Sequence, residues 1–185
     1  KAAAQNDVRA QHNLGLAYIS GSGIARDYEQ AVRWLKQASE RGLARSQYSL
    51  GKMYNYGLGV KKDDREAFKW IRMAAESGIM QAQYNMGKIY RDGRGTNKDL
   101  KAAAQWFLKA ARQGYAKAQN HIGRRLALGV GIAKDEVEAL KWLILATNAG
   151  HEPAVGNRKV LEKKLSAETR AEAQRRARAF KPSRP

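Results

Sequence analysis

In residues 46–56, Ser46, Leu50, Met53 and Tyr54 fall at i, i+4, i+7 and i+8, the spacing of one helix face. A second stripe of the same period, Ala67, Trp70, Ile71, Ala74 and Ala75, follows the connector Gly57-Leu58-Gly59-Val60. Asp63 precedes it as the predicted N-cap, and Glu66 stands three residues on to complete a capping box; Asp27/Gln30 and Asp135/Glu138 repeat that pair. Gly78 supplies a C-terminal stop, where a left-handed backbone costs glycine little. Gly51 sits beside the first stripe, where a missing side chain lets the partner helix approach. The pattern predicts helix–loop–helix.

This unit recurs with a period of 36 residues. Trp34, Trp70, Trp106 and Trp142 mark it, as do Gly15, Gly51, Gly87 and Gly123, and Asp27, Asp63, Asp99 and Asp135. Further rows are Gln11, Gln47, Gln83 and Gln119, and the connector glycines Gly23, Gly59, Gly95 and Gly131. Four repeats run over 10–45, 46–81, 82–117 and 118–153 without insertion or deletion. Residues 1–9 read as the tail of a preceding repeat, with 1–6 aligned to its second helix. After residue 153 the register decays, and Lys159 stands where the glycine row predicts glycine. Residues 154–185 are expected to form a degenerate capping hairpin with a basic tail. One helix pair cannot bury its own apolar faces, whereas stacked copies bury them against each other. The fold predicted is therefore an all-α solenoid with a concave and a convex surface.

Repeat two reads Ser46-Gln47-Tyr48-Ser49-Leu50-Gly51-Lys52-Met53-Tyr54, then Gly57-Leu58-Gly59-Val60, Asp63, Ala67, Trp70, Ala74-Ala75 and Gly78. It resembles the Sel1-like repeat family, relatives of tetratricopeptide repeats, and the likeness extends over residues 1–153. The stretch Ala171–Arg178 resembles the helix that closes bacterial arrays of this kind. The resemblance implies a right-handed α/α superhelix acting as a protein–protein interaction scaffold without catalysis. It also implies a bacterial source and a periplasmic or secreted location, with a cytoplasmic one left open. Repeat four departs most from the pattern: Leu126 occupies the tyrosine row, and Arg125 the row of Ala17, Met53 and Ile89.

Charge adds a functional constraint. Thirty-five Lys and Arg face 17 Asp and Glu, a formal net charge of +18. Such a field favours acidic partners, and it also keeps a protein soluble. The chain has no cysteine, which excludes disulfides and thiolate metal sites and sets it apart from relatives with a disulfide in each repeat. No apolar run approaches the ~18–20 residues that span a bilayer.

By likeness to tetratricopeptide arrays, the first helix of each repeat lines the concave side. The helical wheel then exposes Arg45, Tyr48, Lys52, Asn55 and Tyr56 in repeat two. The equivalents are Gln81, Tyr84, Lys88, Arg91 and Asp92 in repeat three, and Lys117, Asn120, Arg124, Ala127 and Leu128 in repeat four. Repeat one offers Arg9, His12, Leu16, Ile19 and Ser20. Lys52, Lys88 and Arg124 form a row of cations, and Tyr48 and Tyr84 flank it. Cations beside tyrosines suit a carboxylate-bearing peptide, through charge-assisted hydrogen bonds and ring contact. The competing reading is a solvated helix face with no specific ligand.

Residues 155–185 hold ten Lys and Arg against three Glu. This permits an alternative function, charge-driven binding of an anionic polymer such as nucleic acid or an envelope polysaccharide. Nucleic acid is the less favoured of these, because no aromatics interleave the basic run. No cofactor, metal or catalytic group is expected. His12, His121 and His151 lack ligand spacing, and Gly57-x-Gly59 lacks the Gly-Lys-Ser/Thr of a phosphate loop. His121 stands where Asn85 and Ser49 stand in other repeats and reads as a scaffold substitution.

Overall fold

The computed structural model describes residues 7–183. The expected helical tail over residues 1–6 and the terminal Arg184 lie outside the described residues. Ten helices are present among them: α1 (Val8–Ser20), α2 (Tyr28–Glu40), α3 (Ala44–Tyr56), α4 (Asp64–Glu76), α5 (Met80–Asp92), α6 (Leu100–Arg112), α7 (Ala116–Leu128), α8 (Glu136–Asn148), α9 (Glu152–Glu162) and α10 (Ala167–Ala179). The described residues contain no strand. The chain divides into two compact units, one of residues up to 82 with 93–97, the other of 83–92 with 98 onward.

The second helix of each repeat begins at an aspartate. Asp63 accepts hydrogen bonds from the Arg65 and Glu66 amides, and Asp99 from those of Lys101 and Ala102. Each such cap is worth about 1 kcal/mol. The reciprocal half of the expected capping box is not made at Asp63. The Asp63 amide instead donates to the Tyr54 carbonyl at 3.1 Å, and the Glu66 carboxylate takes the Trp70 indole N–H at 3.0 Å. Asp27, Asp99 and Asp135 repeat the arrangement, with their amides bonded to the carbonyls of Tyr18, Tyr90 and Leu126. The end of one helix thus holds the start of the next, and in α4 the first-turn Glu66 is released to the Trp70 indole.

Within each repeat the two helices approach closely at the Gly51 row. A Cβ at Gly51 would lie 2.6 Å from Ile71 Cγ1, and one at Gly123 would lie 2.8 Å from Leu143 Cγ. Successive repeats meet through the connector glycines. Gly131 of repeat four lies against the Leu100 carbonyl that begins α6, so that a Cβ there would approach the oxygen to 2.0 Å. Gly59 has the same relation to the Tyr28 carbonyl, at 2.2 Å. The buried glutamines add a polar tie, since Gln47 Nε2 donates to the Ser39 carbonyl and Gln119 Nε2 to that of Ala111.

In the first unit Ala31, Val32, Leu35, Leu50, Met53 and Trp70 form the core. In the second, Phe107, Ile122, Leu140, Trp142 and Leu143 continue into Leu161, Leu165, Ala173 and Ala177 of the last helix pair. There α10 packs on α8: Phe180 meets Trp142 edge-on with centroids 5.3 Å apart, and Arg176 Nη1 pairs with Glu138 at 3.0 Å.

Candidate functional site

A helix face repeats at i, i+3, i+4 and i+7. On α7 this spacing aligns His121, Arg124, Arg125 and Leu128. With Arg91 from the last turn of α5 and Val130 after α7, they line a cleft of about 180 Å³ in the second unit. No carboxylate lines it.

Arg125 is the anomaly of the site. Its row holds Ala17, Met53 and Ile89 elsewhere, and its side chain is only 7% exposed. Its Nη1 donates to the Val130 carbonyl at 3.1 Å, its only polar side-chain partner among the described residues. The guanidinium carbon lies 5.4 Å from the centroid of the Phe107 ring. Burial lowers its pKa from the usual arginine range, and the neighbouring Arg91 and Arg124 push the same way. Arginine remains charged at neutral pH under such a shift. Arg91 is held by a two-pronged pair with Asp92, at 2.7 and 2.8 Å. Arg124 is exposed and has no carboxylate partner among the described residues.

His121 stacks on Phe107, with centroids 4.7 Å apart and planes 7° from parallel, and its Nε2 lies 3.4 Å from the Tyr84 hydroxyl. Burial pushes its pKa down to about 4, and the cations Arg91, Arg124, Arg125 and Lys88 add to the effect. At neutral pH the ring is therefore uncharged and offers one donor and one acceptor nitrogen.

The first unit has a separate hollow of about 590 Å³, lined by Arg9, His12, Asn13, Leu43, Ala44, Arg45 and Ile79. His12 Nδ1 meets Ser46 Oγ at 2.9 Å. This hollow also lacks a lining carboxylate.

The residues expected from the helical wheel fall into three groups. Arg45, Lys52, Tyr56, Lys117 and Arg124 are exposed, as the wheel requires. Tyr48, Asn55, Tyr84, Lys88 and Arg91 are half-buried. Lys52 Nζ lies 5.7 Å from the Tyr48 ring centroid and Lys88 Nζ 5.9 Å from that of Tyr84, so each tyrosine carries a cation from its own helix. Arg94 Nη1 donates to Asn55 at 3.2 Å.

Two expectations require correction. Asn120 is 6% exposed, because α9 covers it and Asn157 Nδ2 donates to its Oδ1 at 2.7 Å. Tyr84 is no open platform, since its ring packs among Phe107, Tyr115 and His121 with centroids 5.2–5.7 Å away. A wheel drawn for one helix omits the helices that follow it. Sequence reasoning missed Arg125, His121 and Val130 as site residues. The signal for Arg125 was its break with an apolar row.

Ten helices in helix–turn–helix repeats among the described residues define a helical repeat protein. The sequence model of the Sel1 repeat matches residues 8–43, 44–79, 81–115 and 116–151, and the chain belongs to the Sel1 repeat family. Repeats of this family serve generally as non-catalytic protein-interaction scaffolds. The structure is similar to a protective antigen of uropathogenic Escherichia coli strains that displays an SLR fold. The two share 38% identity at a TM-score of 0.80, over 83% of this chain and 33% of the other. A Sel1 repeat protein from Oxalobacter formigenes is 36% identical at a TM-score of 0.77, over 82% of this chain and 62% of the other. Cysteine rich protein B of Helicobacter pylori is 25% identical at a TM-score of 0.56, over 71% of this chain and 94% of the other. The chain thus spans about a third of the first of these and under two thirds of the second. No curated protein matches the chain. Among the described residues no helix is long and apolar enough to cross a membrane.

Proposed function

We propose that this chain is an interaction scaffold whose first-helix faces receive an acidic peptide or an acidic domain of a partner protein. The observation that carries the reading is the pairing of basic side chains with hollows that no carboxylate lines. Arg9 and Arg45 border one such hollow, and Arg91, Arg124 and Arg125 border the other. Lys52 and Lys88 each stand over a tyrosine ring of their own helix. Lys52 belongs to the first unit, and Lys88 and Arg124 to the second. An acidic partner would exchange water around these cations for charge-assisted hydrogen bonds. The test is a variant carrying Lys52→Glu, Lys88→Glu and Arg124→Glu. It should lose partner capture while keeping its helical circular dichroism. Retained capture rejects this face as the binding surface.

A second reading is favoured by one observation on the last helix pair. Lys159, Lys163, Lys164 and Arg178 are exposed and pair with no carboxylate among the described residues. They suit an anionic polymer such as an acidic envelope polysaccharide. Absence of measurable binding to such polymers at low salt dismisses that reading.

For location, we propose action outside the cytoplasm. The support is similarity to a protective antigen, and fractionation of the source cells tests it.

A further inference from the structure

Arg125 is the one cation in its row, held by the Val130 carbonyl and the face of the Phe107 ring but by no carboxylate among the described residues. The equivalent positions are filled by Ala17, Met53 and Ile89, which pack as plain apolar groups. Burying a guanidinium without a counter-charge is costly, and the single bond to the Val130 carbonyl does not neutralise it. Arg124 stands beside it on the same helix, unpaired among the described residues. Arg91 completes the set, although Asp92 already takes one edge of its guanidinium. Three guanidinium groups therefore converge on one cleft with a single carboxylate beside them.

Part of the lining is apolar. Leu128 and Val130 line the cleft, and Leu128 is 69% exposed. Leu128 also borders a neighbouring hollow of about 240 Å³, lined by apolar Ala127, Leu143, Val160 and Leu161 and also by Arg124, Asn157 and the charged Lys134, Glu136 and Lys164. Val160 is 60% exposed. The basic cleft and this mixed hollow thus share Arg124 and Leu128.

We propose that this cleft binds one aspartate or glutamate carboxylate of the partner peptide, with a neighbouring apolar side chain of that peptide seated against Leu128 and Val160. The proposal rests on the acidic-partner reading above and names its anchor. A carboxylate is planar, matches the fork of a guanidinium, and sits on an apolar stem that Leu128 and Val130 can cover. A phosphate group presents oxygen on every side and leaves that wall unused. His121 supplies one further hydrogen-bonding nitrogen from an uncharged ring.

The probes are N-acetyl-leucyl-aspartyl amide and its asparaginyl isostere, titrated into the full chain by nuclear magnetic resonance. Signals of the Arg125 Nε–H and the His121 ring report the cleft, while His151 serves as an internal control. The aspartyl probe should shift the first two saturably and bind at least tenfold tighter than the asparaginyl probe. Arg125→Met, which places the residue of the Met53 row in the site, should abolish the shift with the fold intact. Arg124→Gln, on the exposed surface, should weaken it, and Leu128→Ala should weaken it too. Equal binding of the two probes, full binding to Arg125→Met, or tighter binding of inorganic phosphate than of the aspartyl probe would each overturn the proposal. Lys52→Glu separates this inference from the broader reading. If the cleft is silent but partner capture falls in Lys52→Glu, the cleft proposal fails and the scaffold reading survives. If the aspartyl probe binds and Arg125→Met lowers capture while Lys52→Glu does not, the cleft survives and the wider face fails; capture that ignores Arg125→Met overturns the cleft.

Discussion

Arg125 and Val130 are bonded to each other twice: the guanidinium donates to the Val130 carbonyl at 3.1 Å, and the Val130 amide donates to the Arg125 carbonyl at 3.0 Å. The closed ring fixes a cation where other repeats have an apolar side chain. A buried charge without a counter-charge weakens a fold, and an apolar group of similar size relieves that cost. Arg125→Met is therefore expected to leave stability unchanged or to raise it by about 1–3 kcal/mol. Chemical denaturation checks this, and a clear loss of stability would mean that the arginine serves the fold.

His121 makes stability depend on pH. Its folded pKa of about 4 lies below the ordinary histidine value of 6.5. Above pH 6.5 the ring is neutral in both states and the fold is unpenalised. As pH falls toward 4, the unfolded chain takes up a proton that the folded chain refuses, so stability declines across that window. Part of the ring meets solvent, and after screening the loss is on the order of 2 kcal/mol. His12 and His151 are shifted in the same direction by burial, so the slope belongs to all three. His121→Asn, the residue found at Asn85, should flatten the pH 4–6.5 slope relative to the unsubstituted chain in urea titrations. An unchanged slope would remove His121 from the buried set.

The connector glycines test how repeats meet. Gly131 has φ of 73° and no room for a Cβ, because the Leu100 carbonyl occupies the space. Gly23 has nearly the same φ, 74°, but open space around it. Gly23→Ala should cost only the backbone strain, about 1 kcal/mol. Gly131→Ala adds displacement of the α6 backbone and should cost at least about 2 kcal/mol more. Thermal unfolding of the two variants makes the comparison, and equal losses would show that repeats do not depend on this contact.

The repeat architecture was legible because its causes are local and recur. The rows of Trp70, Gly51 and Asp63 report helix packing, close approach and capping, and four copies of each leave little room for another fold. The capping box was half legible. Its aspartate depends on adjacent amides, but the role of Glu66 depends on Trp70 and on a Tyr54 carbonyl that already satisfies the Asp63 amide. The site was less legible for the same reason. Asn120 reads as exposed on its own helix, and only the placement of Asn157 on α9 buries it. Arg125 was visible as an exception to its row, yet its cleft needs Arg91 from another helix and Val130 from a turn.

The most direct measurement of the central claim is the affinity of the captured partner between 50 and 200 mM salt (concentrations at which polymer binders are compared). A scaffold that anchors a few carboxylates and covers apolar side chains predicts a loss of no more than roughly tenfold, removed altogether in the Lys52→Glu, Lys88→Glu, Arg124→Glu variant. A fall of roughly 10³-fold or more, shared by that variant, would contradict the account and identify a binder of polyanions driven by overall charge.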